Sequence, residues 1–481
     1  MAESVRNKFF SGLAWTFIQN IASRGLGFVF MILLTRLLSP GDFGLIGMLS
    51  IFIAISEVFI LSGFGEALIQ KKNCNDDDYS TAFYFNVAIA VVIYFILFCG
   101  APLIASFYHE EQLVLLTRVL GLNFVLGSLN IVQQSKLTKA MNFKPLAILT
   151  LIGTFFSGVV GVTMAYFDYG VWALVAQTLC STLLRVILFP FFTKWHPNRP
   201  FNVDSLRHLW NYGSKLLVTG IIGVVNRNLS NILIGRYYEK DQVGFFSRSQ
   251  TFAAVPSETM FYVLSTVTFP ALCEVQDDKD RLLSVYRKVL FNTMLVVSPV
   301  IIILALLAKP IVIILFTERW AACIPLLQAL LLSRMFLPMG ATHTSLLRSV
   351  GNTSLYMKLY FITSPLSLFA IGISIPYGVE AMAWAAFIGA FLSYIIEASV
   401  IGSKFGYTIF MQLRDWRKIF LSLAVMVAII WLSTHWLTNL WAQLLTGGLL
   451  GGIVYFACCK FFYLIDEDLK NMIMAKLNLK H

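Results

Sequence analysis

Apolar stretches long enough to cross a bilayer recur along almost the whole of this chain, and few folds accommodate that. A hydrocarbon core about 30 Å thick needs about 20 apolar residues per helix. Windows of that length locate about fourteen candidate spans, at residues 12–38, 43–69, 81–107, 113–137, 145–167, 170–192, 212–237, 243–270, 289–316 (interrupted at Lys309-Pro310), 322–350, 355–375, 379–403, 419–436 and 440–461. Hydrocarbon offers the backbone no water to bond, so such spans must be helices. The predicted fold is an all-α integral membrane protein. Composition agrees: 58% of residues are hydrophobic and 13% charged, where soluble globular proteins carry about a quarter charged residues. A soluble domain is excluded, and 41 Phe, 18 Tyr and 10 Trp exclude intrinsic disorder. No connection is large enough to be a domain of its own.

The net charge of +11 would suit a nucleic-acid binder, but its distribution has a simpler cause. With the N-terminus cytoplasmic, Lys and Arg accumulate in the connections of that side, among them Lys71, Lys136, Lys139, Lys194, Arg199, Lys279, Arg287, Arg414 and Lys418. The opposite side holds few: Arg36, Arg236, Lys240, Lys309 and Arg319. This is the positive-inside pattern, so both termini are expected in the cytoplasm and no nucleic-acid partner is expected. The first residues lack a small-residue cleavage site after a short apolar run and read as the uncleaved start of the first span. Seven Cys without CxxC or metal-ligand spacing imply neither a disulfide framework nor a metal site.

Compared with itself at an offset of about 200 residues, the chain shows a weak internal repeat. LLTRLLSPGDFGLIG from Leu33 aligns with LIGRYYEKDQVGFFS from Leu233, superposing Arg36 on Arg236 and Gly44 on Gly244. With short gaps Arg24 meets Arg227 and Glu57 meets Glu258. Two six-helix halves entering from the same side make parallel repeats about an axis along the membrane normal, a layout of alternating-access transporters. The predicted organisation is an N-lobe over 1–195, a cytoplasmic linker over 196–210, a C-lobe over 211–405, and a C-terminal helix pair with a cytoplasmic tail over 406–481.

An ionisable residue at mid-span costs about 2.5–3.5 kcal/mol on insertion scales, so each is a candidate for function. Arg24 sits roughly 18–21 Å from either interface at 1.5 Å per residue, too deep to snorkel. Thr16, Asn20, Arg24 and Gly27 share one helical face. The seventh span repeats this with Gly220, Gly223, Arg227 and Ser230, flanked by Asn226 and Asn231. Such stripes would line a cationic cavity between the halves, with Arg334 of the tenth span a third candidate. Arg presents a planar fork that binds phosphate oxygens bidentately and stays charged, which suits a diphosphate headgroup. A structural reading stands beside this one. Glu57 and Glu258 lie at depths matching Arg24 and Arg227 and would either neutralise them or act as counter-charges that an anionic ligand displaces. Arg185 and Glu397 lie near the inner surface and read as snorkelling side chains. His343 reads as a satisfied or interfacial histidine.

No P-loop, HExxH, GxSxG or phosphate-cradling turn is present. Membrane enzymes acting on lipid-linked sugars need sizeable polar loops outside the bilayer, whereas here the outer connections are a few residues long. The chain is not expected to be an enzyme. A membrane polysaccharide polymerase and a cation-coupled small-molecule or multidrug exporter are the alternative readings.

Four segments carry a family resemblance: TRLLSPGDFGL from Thr35, LSGFGEALIQKK from Leu61, TFPALCEVQDDKDRL from Thr268 and FTERWAACIPLLQALLL from Phe316. In this order the chain resembles the Wzx-type polysaccharide-unit flippases, most closely their colanic-acid-exporter-like branch, over roughly residues 8–404. The resemblance implies the multidrug/oligosaccharidyl-lipid/polysaccharide exporter fold, with two six-helix lobes about a central cavity. It also implies an undecaprenyl-diphosphate-linked oligosaccharide as substrate, moved from the cytoplasmic to the periplasmic leaflet of a bacterial inner membrane for O-antigen, capsule or exopolysaccharide synthesis. Related lipid-precursor flippases use deep Arg residues on the first and seventh helices for the diphosphate, and Arg24 and Arg227 match those places. No cofactor is implied; coupling to the membrane potential or to a H+/Na+ gradient is expected without an assigned site. A polymerase and glycosyltransferases are the implied protein partners. Multidrug exporters of this fold often carry a coupling carboxylate on the first helix, where this chain has Arg24.

Overall fold

The structure, a computed structural model, describes residues 2–61, 64–71 and 74–464. Ser62, Gly63 and Lys72 of the second family segment, and the expected tail from residue 465, lie outside the described residues. Among those described the regular structure is entirely helical. The helices are α1 (Ala2–Leu37), α2 (Pro40–Leu61), α3 (Phe64–Gln70), α4 (Asp76–Tyr108), α5 (Gln112–Ser128), α6 (Ile131–Lys139), α7 (Phe143–Tyr166), α8 (Val171–Thr193), α9 (Val203–Tyr237), α10 (Lys240–Glu274), α11 (Lys279–Leu306), α12 (Ala308–Phe316), α13 (Cys323–Arg334), α14 (Phe336–Ser349), α15 (Thr353–Ser374), α16 (Val379–Phe405), α17 (Ile409–His435) and α18 (Leu440–Phe461). By length and composition, 12 helical segments among the described residues are able to cross a membrane. The 35-residue helices α9 and α10 stand where the seventh and eighth spans are expected. Large side chains face outward, Leu103 at 76% exposure and Phe369 at 68%, as a lipid-facing surface requires. The chain is a multi-pass, all-α membrane protein.

Proline and turn chemistry divide several of the expected spans. The ninth breaks at Leu307, ahead of Pro310. A proline ring clashes with the carbonyl four residues earlier, here Leu306, and is tolerated in the first turn of the next helix. The tenth breaks at Met335 in the same way, Pro338 following Arg334 by four residues. The fourth divides into α5 and α6, where Leu129 and Asn130 donate to the carbonyls of Leu126 and Gly127 at 3.3 and 3.0 Å.

The chain forms two compact units, 1–244 and 245–481. In the first, α1 packs on α7, α7 on α8, α4 on α5 and α2 on α9. Phe64, Leu68, Tyr79, Trp195 and Leu209 form a core at the basic end. The connection to α9 is stitched to α4: the Arg199 N–H donates to Ser80 Oγ at 3.4 Å and the Asn202 N–H to Thr81 Oγ1 at 3.0 Å. Asn202 then caps α9 by accepting from Asp204 and Ser205 N–H, satisfying donors that a helix start leaves open.

The opposite end of this unit holds the residues that the self-comparison superposed. Pro40 opens α2, and Asp42 Oδ2 accepts from the Ser39 N–H at 2.9 Å and Oγ at 2.6 Å, while the Asp42 N–H returns to Ser39 Oγ at 3.3 Å, a capping box. A Cβ on Gly44 would lie 1.8 Å from the Lys240 carbonyl oxygen, and a Cβ on Gly244 1.9 Å from that of Pro40. Each glycine is thus required by the turn of the other repeat.

In the second unit α11, α13, α14 and α16 surround a common core, and α17 and α18 form a hairpin that α11 and α12 cover. Trp320 of the FTERW segment is wholly buried, its ring 5.8 Å from Phe245 and 6.3 Å from Phe316. Small residues bring the hairpin close: a Cβ on Gly447 would lie 2.8 Å from Leu307, and one on Gly451 2.6 Å from Ile430. Lipid gives helices no hydrophobic reason to associate, so such close packing supplies much of the attraction.

Candidate functional site

On α1, the Asn20 side chain donates to the Thr16 carbonyl at 2.9 Å, one turn back, which orients the amide along the helix. Arg24 follows on an exposed face, and a Cβ on Gly25 or Gly27 would meet nothing within 4 Å. On α9, Arg227 is also exposed. Its Nη1 would lie 3.3 Å from a Cβ on Gly223, so the glycine one turn back leaves the space that the guanidinium occupies. Among the described residues Arg227 forms no ion pair within 4.0 Å.

Asn231, expected to flank the polar stripe, turns away from Arg227's exposed face. It is 5% exposed, on the face of α9 that packs against α2. Its Nδ2 stands 3.5 Å from Ser50 Oγ, and Ser50 Oγ donates to Asn228 Oδ1 at 3.1 Å. Asn231 therefore belongs to a helix–helix polar contact. Inside a membrane such contacts contribute about 0.6–2 kcal/mol each.

The carboxylates have counter-charges that sequence depth did not suggest. The charge acting on Glu57 of α2 is that of Arg185 on α8, and Gly153 of α7 leaves room for that guanidinium, a Cβ there lying 3.7 Å from Arg185 Nε. In the second unit, Glu258 of α10 acts on Arg334 of α13. Arg185 therefore stands in the field of Glu57, and no ion pair within 4.0 Å joins the two among the described residues. Glu397 is engaged directly: its Oε2 lies 3.2 Å from Nδ1 of His343. His343 is 1% exposed, and its ring stacks on Tyr394 at 5.1 Å. The sequence contained no local signal for this pair, whose members stand 54 residues apart on α14 and α16. Among the described residues no three His, Cys, Asp or Glu side chains converge as metal ligands.

The helical architecture defines the class of protein. It matches the lipid II flippase MurJ in an inward closed conformation with a TM-score of 0.74 at 17% identity, covering 94% of this chain and 99% of that one. An inward-facing MATE multidrug transporter of the MOP superfamily matches with a TM-score of 0.60 at 14% identity, over 82% of this chain and 96% of the other. The fold is that of the MOP-type membrane transporters. Within it, the chain belongs to the polysaccharide biosynthesis protein family, whose model matches residues 33–325. Its relatives include the succinoglycan biosynthesis transport protein ExoT of Rhizobium meliloti, 24% identical over 92% of this chain and 91% of that protein. The lipopolysaccharide biosynthesis protein WzxC of Escherichia coli is 25% identical over 88% and 87%. The teichuronic acid biosynthesis protein TuaB of Bacillus subtilis is 22% identical over 82% and 81%.

Proposed function

We propose that this protein moves undecaprenyl-diphosphate-linked oligosaccharide units from the cytoplasmic to the periplasmic leaflet of a bacterial inner membrane, for the assembly of a surface polysaccharide. The observation that carries this reading is Arg227: a guanidinium on α9, where the seventh span is expected, exposed and without an ion-pair partner among the described residues. A cation held in that condition is expensive, and an anionic ligand offsets the cost. Membership of the polysaccharide biosynthesis protein family and the transport role named for a relative support the same reading.

In this mechanism Arg227 and Arg24 hold the diphosphate through charge-assisted hydrogen bonds, each shorter and about twice as strong as a neutral one. Asn20 and the open surfaces at Gly25 and Gly27 admit the sugar, and the polyprenyl tail stays in lipid. The charges of Glu57 and Glu258 act on Arg185 and Arg334 and serve as their counter-charges when no ligand is bound. No covalent bond is made or broken, so the protein acts as a transporter without cofactor and not as an enzyme. Each charge crossing 100 mV contributes about 2.3 kcal/mol, enough to bias the direction of movement. Both termini face the cytoplasm, where glycosyltransferases build the unit; a polymerase consumes it on the other side.

The test is complementation of a bacterium whose own repeat-unit flippase gene for the cognate polymer is deleted. The wild-type protein restores surface polysaccharide, whereas Arg227→Ala, present at equal level in the membrane, does not. Normal surface polysaccharide in that variant, or purified protein that binds small organic cations and no lipid-linked sugar, would overturn the reading in favour of an exporter.

A further inference from the structure

Helix α17 is longer than a bilayer requires. At 1.5 Å per residue its 27 residues run about 40 Å, against a hydrocarbon core of about 30 Å, and its apolar run begins only at Ile419. Arg414, Arg417 and Lys418 precede that run and stand at headgroup depth, at the end of the second unit where Lys and Arg collect. Arg417 and Lys418 follow Arg414 by three and four residues, so the three cations share one face of the helix. With Phe291 of α11 and with Phe462 and Leu464, which follow α18, they line an open cavity of about 610 Å³.

The carboxylate in the cavity wall, Asp415, does not neutralise them. Arg287 of α11 holds both of its oxygens through Nε and Nη2, each at 2.6 Å, and Tyr407 Oη donates to Oδ2 at 2.7 Å. A bidentate guanidinium cancels that charge and fixes α17 against α11. Lys418 Nζ donates to the Phe462 carbonyl at 3.3 Å, which ties the start of α17 to the end of α18 and still leaves the ammonium charged. Among the described residues Arg414, Arg417 and Lys418 form no ion pair. Three positive charges therefore face one cavity without a counter-charge from the described chain.

Beyond Lys418 the same face of α17 turns apolar at once. Leu421, Val425 and Leu432 follow at helical spacing and are all exposed, with Phe420 beside them. Tyr463, almost fully exposed, stands at the cavity mouth, the level at which amphipathic rings meet headgroups. Cations set directly above an apolar strip match the two parts of one molecule, a phosphate carried on acyl chains. A free anion would use the cations alone and leave the strip without a purpose.

We propose that this cavity binds the phosphodiester headgroup of an anionic bilayer phospholipid, with Arg414, Arg417 and Lys418 on the phosphate oxygens and the acyl chains along Leu421, Val425 and Leu432. Basic pockets between membrane helices recognise such headgroups. The two arginines supply planar forks for the phosphate and the lysine a point charge. The lipid belongs to the bilayer and is not the transported molecule, so the site does not rest on the transport reading above.

Native mass spectrometry of the full-length protein, purified in a neutral detergent and titrated with dioctanoyl phosphatidylglycerol, tests this. The wild type is expected to retain the lipid, and to bind dioctanoyl phosphatidylethanolamine or glycerol 3-phosphate about tenfold or more weakly. The variant Arg414→Gln/Arg417→Gln/Lys418→Gln should bind phosphatidylglycerol about 100-fold more weakly, at about fivefold per basic residue. Lys279→Gln/Arg281→Gln/Lys404→Gln, which removes the same charge from the same end outside the cavity, should bind as the wild type does. Phosphatidylglycerol should also raise the melting temperature of the wild type and of this control. Arg414→Gln alone, a change at an exposed position, should cost about fivefold and reads the same site if the triple variant fails to fold. Undiminished binding in the cavity variants, an equal loss in the control, or equal binding of phosphatidylethanolamine overturns the site. Glycerol 3-phosphate bound as tightly as the lipid would make it a plain anion site, and farnesyl diphosphate bound in preference would make it a second substrate site; either overturns the proposal. Asp466, Glu467 and Asp468 follow Leu464 in the sequence, and lipid binding that appears only in Asp466→Asn/Glu467→Gln/Asp468→Asn would give the cavity to the chain's own acidic segment and overturn it as well.

Discussion

Replacing Gly44 by Ala tests the crossing of the two repeated turns. The new methyl carbon would stand 1.8 Å from the Lys240 carbonyl oxygen, and an ordinary close carbon–oxygen contact is about 3.3 Å. The start of α2 and the 240–244 turn must therefore separate by about 1.5 Å. Neither partner is the flexible end of a side chain, so the displacement falls on backbone, and overpacking of this kind costs about 1–3 kcal/mol. Gly244→Ala meets the Pro40 carbonyl at 1.9 Å and should cost the same. Gly100→Ala in α4 is the control, because a Cβ there meets nothing within 4 Å. Removing a helical glycine where space is free stabilises by about 0.4–1 kcal/mol. Thermal unfolding of the purified proteins in one detergent should place G44A and G244A several degrees below wild type and G100A at or above it. The double variant should lose less than the two singles combined, since one separation accommodates both methyl groups. A G44A protein that melts with the wild type refutes the argument.

Other substitutions probe single interactions. Arg185→Gln removes the charge acting on Glu57, so the double variant R185Q/E57Q should melt higher than R185Q alone; the same melt for both would mean that the charges do not act on one another. Tyr455→Phe loses the 2.8 Å bond to the Leu295 carbonyl that ties α18 to α11, and should lower stability by about 1 kcal/mol. Asn202→Ala removes the cap of α9, at about 1 kcal/mol, and limited proteolysis should cut faster between residues 194 and 202.

Much of the architecture could be read from hydropathy, because a membrane leaves the backbone little choice but helix. The breaks at Leu307 and Met335 follow from proline chemistry, though the first falls ahead of the Lys309-Pro310 dipeptide and not on it, since the ring disturbs the carbonyl four residues before. Gly44 and Gly244 were visible as a repeat, but only the structure shows that each makes room for the other's turn. The site was legible in part. Arg24 and Arg227 were marked by depth, by the polar stripes and by the repeat, and both lie on exposed faces. Asn231 shared their periodicity yet turns toward α2, because adjacent positions on a helix point 100° apart and a stripe read from spacing is wider than the face it lines. Depth matching could not find His343 for Glu397, since partners on helices distant in sequence are chosen by packing.

Transbilayer movement in vesicles tests the central claim most directly, with purified full-length protein and a fluorescent polyprenyl-diphosphate-linked oligosaccharide as probe. The account predicts that the wild type moves the probe far faster than protein-free vesicles. It predicts that Arg227→Ala slows this by about 10- to 100-fold, the loss of one charge-assisted hydrogen-bonding group, and that Arg227→Lys recovers part of the rate. Wild-type movement no faster than in protein-free vesicles, or an unchanged rate in Arg227→Ala, would contradict it.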